Sequence, residues 1–346
     1  MNIFFAWTGV TGYMGDCWRA LAAQPGVRLK VMVEAPLAVE DAAFDAMHEL
    51  RGLDCTMVER GKPFDMDAIR DAVIGFKPAA LFVVGWHAAL PRFLATDGAL
   101  RDIRKIIVFD LPFAFTPRKL LAPIALRGYL RNFDAAFVPG AAAARYARWL
   151  GFRNIWRGLF STRLDRFADV AESKLSRVVP HSFLYVGRYA PEKGLDTLER
   201  AYAIYRSRVS DPWPLDCAGM GPECPKGDGI RDLGFVAPDD LARVYGAHGV
   251  FVLPSRFEPW GVVVAEACGA AMPVICSDSV GARHELVDGN GFVCRTDDPA
   301  SLADAMVRMH ALSDGERLAM ARKSLALSLP YSSSEWAKRV IEIVKL

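Results

Sequence analysis

Short apolar runs rich in β-branched and aromatic residues alternate with stretches of helical period along the chain. In the first half they predict strands at Ile3–Trp7, Leu29–Glu34, Ala80–Gly85, Lys105–Asp110 and Ala135–Pro139. Helices fit between them at Tyr13–Ala23, Asp67–Ile74, Thr116–Arg131 and Ala141–Leu150. The second half restarts the pattern. Its strands fit Ser182–Gly187, Leu215–Gly219, Gly249–Pro254, Pro273–Ser277 and Gly291–Cys294; its helices fit Gly194–Arg206, Asp239–Ala247, Gly261–Ala271, Pro299–Leu312 and Gly315–Leu327. Strands alternating with helices imply parallel sheets with right-handed crossovers. The expectation is an α/β protein of two Rossmann-like domains, 1–165 and 177–330, facing a central cleft. The polar stretch Ser161–Ser176 reads as the linker, and 331–346 as a helix returning to the first domain.

With 346 residues, 52% of them hydrophobic and 24% charged, the chain can bury two cores. A net charge of +2 gives no sign of a nucleic-acid partner. The seven cysteines are odd in number and form no C-x-x-C, which fits core thiols in a reducing cytoplasm rather than disulfides or zinc. The start MNIFFAWTGV lacks a basic segment before its apolar residues, and no run reaches 18 apolar residues. A cytoplasmic protein is expected, at most peripheral on the inner face of a membrane. Charge is uneven: from Arg101 to Arg166 there are thirteen Lys or Arg against four acids. Within that stretch, TPRKLLAPIALRGYLRN suits either an anionic membrane surface or packing on its own sheet.

The candidate chemistry concentrates in PSRFEPWGVVVAEACGAAMPVIC. Pro259 and Gly261 keep Glu258 in the loop before a helix, whereas Glu266 falls inside that helix among apolar residues. A carboxylate there is costly to bury unless something hydrogen-bonds it. The two acids together suit the hydroxyls of a sugar or ribose, or are solvated surface charges. In VGRYAPEKG, Arg188 and Lys193 lie on a strand-to-helix loop where two cations can neutralise a diphosphate without metal, or remain a solvated basic loop. His87 and Asp110 end strands at the carboxyl edge, where parallel sheets bind ligands. Asp65-Met66-Asp67 precedes a helical pattern and reads as an N-cap before it reads as a metal pair.

TGVTGYMG, with Gly9, Gly12 and Gly15, resembles the glycine loop of short-chain dehydrogenases and NAD-dependent sugar-nucleotide epimerases, and Glu34 stands where a ribose-binding acid would. That reading needs Tyr189 and Lys193 on one helix face, but Pro191 lies between them. A different resemblance covers Phe183 to Arg308. GRYAPEKG, DLGFVAPDDLARVYGAHGVFVLPS and EPWGVVVAEACGAAMPVICSDSVGARHELV, followed by DGNGFV, resemble family 4 of the retaining glycosyltransferases, which have the GT-B fold. The first half resembles that family in layout only.

This resemblance implies a nucleotide diphosphate sugar as donor substrate, with no cofactor and no metal, and transfer of a hexose to a saccharide or lipid-linked acceptor. It implies that Arg188 and Lys193 hold the diphosphate, that Glu266 accepts from the ribose hydroxyls and that Glu258 faces the donor sugar. Backbone amides at Trp260, Gly261 and Val262 would touch sugar and phosphate, and Phe235 and Val236 would line the base. Gly12 would face the diphosphate or acceptor, and His87 would lie near the sugar. The competing functions are a sugar-nucleotide epimerase, GT-B-like or NAD-dependent, and a non-catalytic sugar-nucleotide-binding subunit.

Overall fold

A computed structural model describes residues 1–35 and 49–345. The chain divides into two units, one of residues 1–163 with 333–346 and one of residues 164–332.

In the first unit seven parallel strands lie in the order β3-β2-β1-β4-β5-β6-β7. They are β1 (Asn2–Thr8), β2 (Arg28–Ala35), β3 (Cys55–Glu59), β4 (Ala80–Val84), β5 (Lys105–Val108), β6 (Ala135–Val138) and β7 (Ile155–Arg157). Successive side chains of β1 feed opposite cores. Phe4 and Ala6 join Leu90, Leu94 and Tyr146 on one face, and Ile3 and Phe5 join Trp18 and Trp336 on the other. Burial on both faces is why IFFAW is a continuous apolar run rather than an alternating one. The last helix, Ser333–Lys345, packs in this unit, where the Trp336 indole donates to the Leu159 carbonyl at 2.7 Å.

In the second unit six parallel strands lie in the order β10-β9-β8-β11-β12-β13. They are β8 (Phe183–Val186), β9 (Leu215–Ala218), β10 (Ile230–Gly234), β11 (Val250–Leu253), β12 (Val274–Ser277) and β13 (Gly291–Cys294). Both orders are the Rossmann order, reversing between β1 and β4 and between β8 and β11.

Two expectations need correction. Ser161–Ser176 is not an open linker. Leu164–Phe167 forms a 3₁₀ turn and Ala168–Leu175 an α-helix, both within the second unit. Phe167 packs edge-on to Tyr245 at 5.4 Å, and buried Lys174 donates to the Tyr245 carbonyl at 2.6 Å. A few apolar contacts thus fold a stretch whose composition is polar. The helix expected over Thr116–Arg131 is two, Pro117–Ala125 and Arg127–Leu130. Pro123 has no N–H to give the Lys119 carbonyl; the Trp149 indole takes that acceptor at 3.1 Å instead.

Candidate functional site

The strand order of the second unit decides which loops meet. At the reversal, the chain leaving β8 and the chain leaving β11 emerge side by side at the carboxyl edge. The β8 loop runs through Arg188 and a 3₁₀ turn, Pro191–Lys193, into the helix Leu195–Arg208. The β11 loop runs from Pro254 to Gly261 into the helix Val262–Gly269. Gly194 joins the two loops. Its φ is +70°, and a Cβ there would stand 2.6 Å from the Pro254 carbonyl oxygen.

Arg256 fastens the same junction and was not singled out from the sequence. Its guanidinium donates to the Pro191 carbonyl at 2.8 Å, to Asp196 at 2.7 Å and to Asp297 at 2.8 Å. Hydrogen bonds from Arg256 are the leading reason both carboxylates sit below their usual range. Its acidic partners stand about 60 and 41 residues away in the chain, so no local pattern marks it.

The two cations expected on the β8 loop each have a carboxylate. Lys193 Nζ pairs with Glu258 Oε2. Glu258 is therefore not a solvated loop charge: its backbone carbonyl accepts from the Gly281 amide at 2.9 Å, and its side chain is turned inward. Arg188 is different. Its side chain is 72% exposed and reaches back to Glu192 at 2.6 Å.

Gly261 begins the next helix with φ +99°, a left-handed conformation that glycine adopts without strain. The first bond of this turn is from the Val264 amide to the Gly261 carbonyl at 3.0 Å. The amides of Gly261 and Val262 come before it, at the positive end of the helix dipole. Glu266 lies one turn beyond Val262, on the same face. It is half-buried, and one oxygen accepts from the Tyr245 hydroxyl at 3.2 Å. Burial, reinforced by the Glu266 charge, holds the Tyr245 phenol far above its ordinary range. Trp260 is buried, with its ring 5.2 Å from that of Tyr331, so its side chain does not face solvent. Phe235 and Val236 follow the edge strand β10; Phe235 is 49% exposed and Val236 half-buried.

Gly12 and His87 belong to the first unit, after its neighbouring strands β1 and β4. Gly12 opens the helix Gly12–Ala22, and a Cβ there would approach Glu49 at 3.4 Å. His87 is exposed, with its ring 5.6 Å from Trp86. Two features of the dinucleotide reading fail. Glu34 is buried, and its carboxylate accepts from the Leu90 amide at 2.7 Å, which ties it to the helix Ala89–Thr96 rather than to a ribose. Tyr189 is buried with its hydroxyl on the Cys217 carbonyl at 2.9 Å and on Asp232 at 2.7 Å, while Lys193 turns to Glu258. Asp65 caps its helix, accepting from the Ala68 amide at 2.9 Å. Among the described residues no group of three or more His, Cys, Asp or Glu is placed to hold a metal, and no helix is long and apolar enough to cross a membrane.

Residues 180–311 match the family model described as Glycosyl transferases group 1. Over 174 residues the chain is 27% identical to O-antigen chain mannosyltransferase B of Escherichia coli, covering 47% of this chain and 45% of that protein. The chain spans less than half the length of the curated relatives it matches. Sucrose-phosphate synthase from Thermosynechococcus elongatus superposes with a TM-score of 0.72 at 16% identity, covering 99% of this chain and 98% of the other. The E. coli trehalose-6-phosphate protein bound with UDP-2-fluoro glucose superposes with a TM-score of 0.73 at 12% identity, covering 100% and 99%. Residues 180–311 thus form a glycosyl transferases group 1 domain, and the two Rossmann-like units have the fold of GT-B glycosyltransferases.

Proposed function

We propose that this protein is a retaining glycosyltransferase that moves a hexose from a nucleotide diphosphate sugar to an acceptor hydroxyl, in the synthesis of a glycan or envelope saccharide. The observation that carries the reading is the meeting of Lys193, Glu258 and the N-terminal turn of Val262–Gly269 at the carboxyl edge of β8 and β11. A domain of this family and the likeness to a protein solved with UDP-2-fluoro glucose support it.

The leaving diphosphate gains negative charge as the glycosidic bond breaks. Lys193, Arg188 and the amides of Gly261 and Val262 stabilise that charge without metal or cofactor. Lys193 exchanges Glu258 for phosphate on donor binding, which frees Glu258 to face the sugar. Arg188 leaves Glu192 for the diphosphate. Glu266, oriented by Tyr245, accepts from the ribose hydroxyls. Phe235 and Val236 line the base, and Trp260 contributes its backbone amide. The departing phosphate assists deprotonation of the acceptor, so the sugar keeps its anomeric configuration. The first unit, which carries Gly12 and His87, is assigned to the acceptor.

The acceptor is a saccharide or a lipid-linked molecule. The exposed apolar residues of 115–124, set among basic ones, suit peripheral contact with the inner face of a membrane. Seven free cysteines fit the cytoplasm.

The test is turnover with a nucleotide sugar and an extract of envelope saccharides. The reading expects release of nucleoside diphosphate that depends on acceptor, and a product of unchanged anomeric configuration by NMR. Arg188→Ala should lower turnover more than donor affinity. Conversion of donor without acceptor, or inverted product, contradicts it.

A further inference from the structure

The first unit holds a cavity of about 500 Å³ at the carboxyl edge of its sheet, with Trp86, Leu111 and Tyr146 among its walls. Arg92, Arg118 and Lys119 line it, and among the described residues no acid does. Two of these cations are held by carbonyls and rings rather than by carboxylates. Arg92 donates to the Trp86 carbonyl at 3.3 Å and lies 5.7 Å from the centre of the Tyr129 ring. Lys119 donates to the Pro112 carbonyl at 2.5 Å and lies 5.4 Å from the Tyr146 ring centre. Neither they nor Arg118 makes an ion pair among the described residues. Burial lowers the Lys119 ammonium from its usual range, and the charge of Asp110 partly offsets this.

Carbonyls and ring faces orient a cation while leaving its net charge in place. Arg118 and Lys119 also stand in the first turn of Pro117–Ala125, where the helix dipole adds positive potential. A cavity with apolar walls and three cations, with no ion pair and no carboxylate among the described residues, suits an anion attached to a larger body.

The helix that forms one wall has a second aspect. Lys119 and Ala122 face the cavity, whereas Leu121 and Ile124 are 60% and 77% exposed. Phe115 is 86% exposed, and its ring packs edge-on to Phe113, which touches Trp149. Apolar surface therefore continues outward from the cationic cavity.

We propose that this cavity binds the phosphate of a phosphorylated acceptor, with Arg92, Arg118 and Lys119 as the phosphate ligands and His87 at the rim. Treating the occupant as an acceptor rests on the transferase reading; the anion site itself does not. Two sources carry this chemistry, a lipid phosphate and a free sugar phosphate.

The test is calorimetric titration of the full chain with dodecyl phosphate and, separately, with glucose 6-phosphate. Dodecyl sulfonate and unphosphorylated dodecanol are run as controls. Binding of either phosphate, weakened roughly tenfold by Arg118→Gln and by Arg92→Gln, supports the site. Arg118 is exposed, so its variant is not expected to disturb folding, and circular dichroism checks both. Tighter binding of dodecyl phosphate assigns a lipid source, and tighter binding of glucose 6-phosphate a soluble one. Absence of binding by both, or binding indifferent to both substitutions, overturns the proposal. Nucleotide-sugar binding by the unsubstituted protein is measured in parallel. Phosphate bound without any donor bound keeps the anion site and overturns its acceptor role.

Discussion

Lys193 and Glu258 stand 65 positions apart in the chain, yet they form one ion pair with side chains only 15% and 12% exposed. The pair exists because the reversal of strand order sets the β8 and β11 loops side by side. Removing one partner of such a pair leaves the other charge desolvated and alone. Lys193→Ala and Glu258→Ala are each expected to lower stability by about 1–3 kcal/mol. The double variant should lose less than the sum of the two. Urea denaturation of the four proteins measures this, and strict additivity would show that the contact contributes nothing.

Gly194 is expected to tolerate no side chain. Its positive φ alone costs an L-residue roughly 1–2 kcal/mol, and the nearest obstacle is a backbone carbonyl that cannot turn aside. Gly194→Ala should be destabilised by at least this amount and should lose turnover, because it separates Lys193 from Glu258. Gly75 provides the contrast. It lies in the helix Met66–Phe76 with open space around it, and Gly75→Ala should gain about 0.5–1 kcal/mol. Thermal unfolding of the two variants checks the opposite signs.

Tyr245 holds Glu266 from inside the core. Tyr245→Phe removes one hydrogen bond, at a cost of about 0.5–1.5 kcal/mol. If Glu266 binds ribose, the same change should weaken donor affinity several-fold, since the carboxylate loses its orientation. Equilibrium titration with the donor distinguishes the two roles: lost stability with unchanged affinity would make the hydroxyl a folding element only.

Lys174 gives the second unit a pH dependence. Burial pushes its ammonium down to about 7, whereas in the unfolded chain it keeps its proton to about 10.4. Between these values the unfolded state binds more protons, so stability rises with pH. Below pH 7 both states are protonated and the cost of the buried charge is fully present. Lys174→Met should therefore be the more stable protein near pH 6.5, by roughly 4–5 kcal/mol. The gap should close toward pH 10. The Tyr245 carbonyl keeps a second donor, the His248 amide at 3.4 Å. Denaturation of both proteins across that range is the measurement, and a constant gap would contradict the assignment.

Most strands were legible because both faces of each sheet are covered, so central strands appear as unbroken apolar runs. The three that the pattern did not reveal are β3, β7 and β10, and each is the outer strand of its sheet. Half-exposed sequences such as CTMVE and IRDLG carry no such run. The candidate donor residues were legible for another reason. Arg188, Lys193, Glu258, Gly261 and Glu266 lie on two short segments with recognisable spacing, and the strand order brings those segments together. Arg256 was missed because its partners are distant in sequence. The pairing of Lys193 with Glu258 was missed because two separately chosen residues become one contact only when the sheet is assembled. Glu34 was misleading for a related reason: an acid at the end of a second strand has the position of a ribose ligand, and only the tertiary fold shows a helix amide already occupying it.

The most direct test is calorimetric titration of the protein with UDP-, GDP- and ADP-sugars and with NAD, each with and without EDTA. The account predicts that one nucleotide sugar binds equally well in EDTA and that Glu266→Ala abolishes this binding. Binding of NAD alone, or nucleotide-sugar binding untouched by Glu266→Ala, would contradict it.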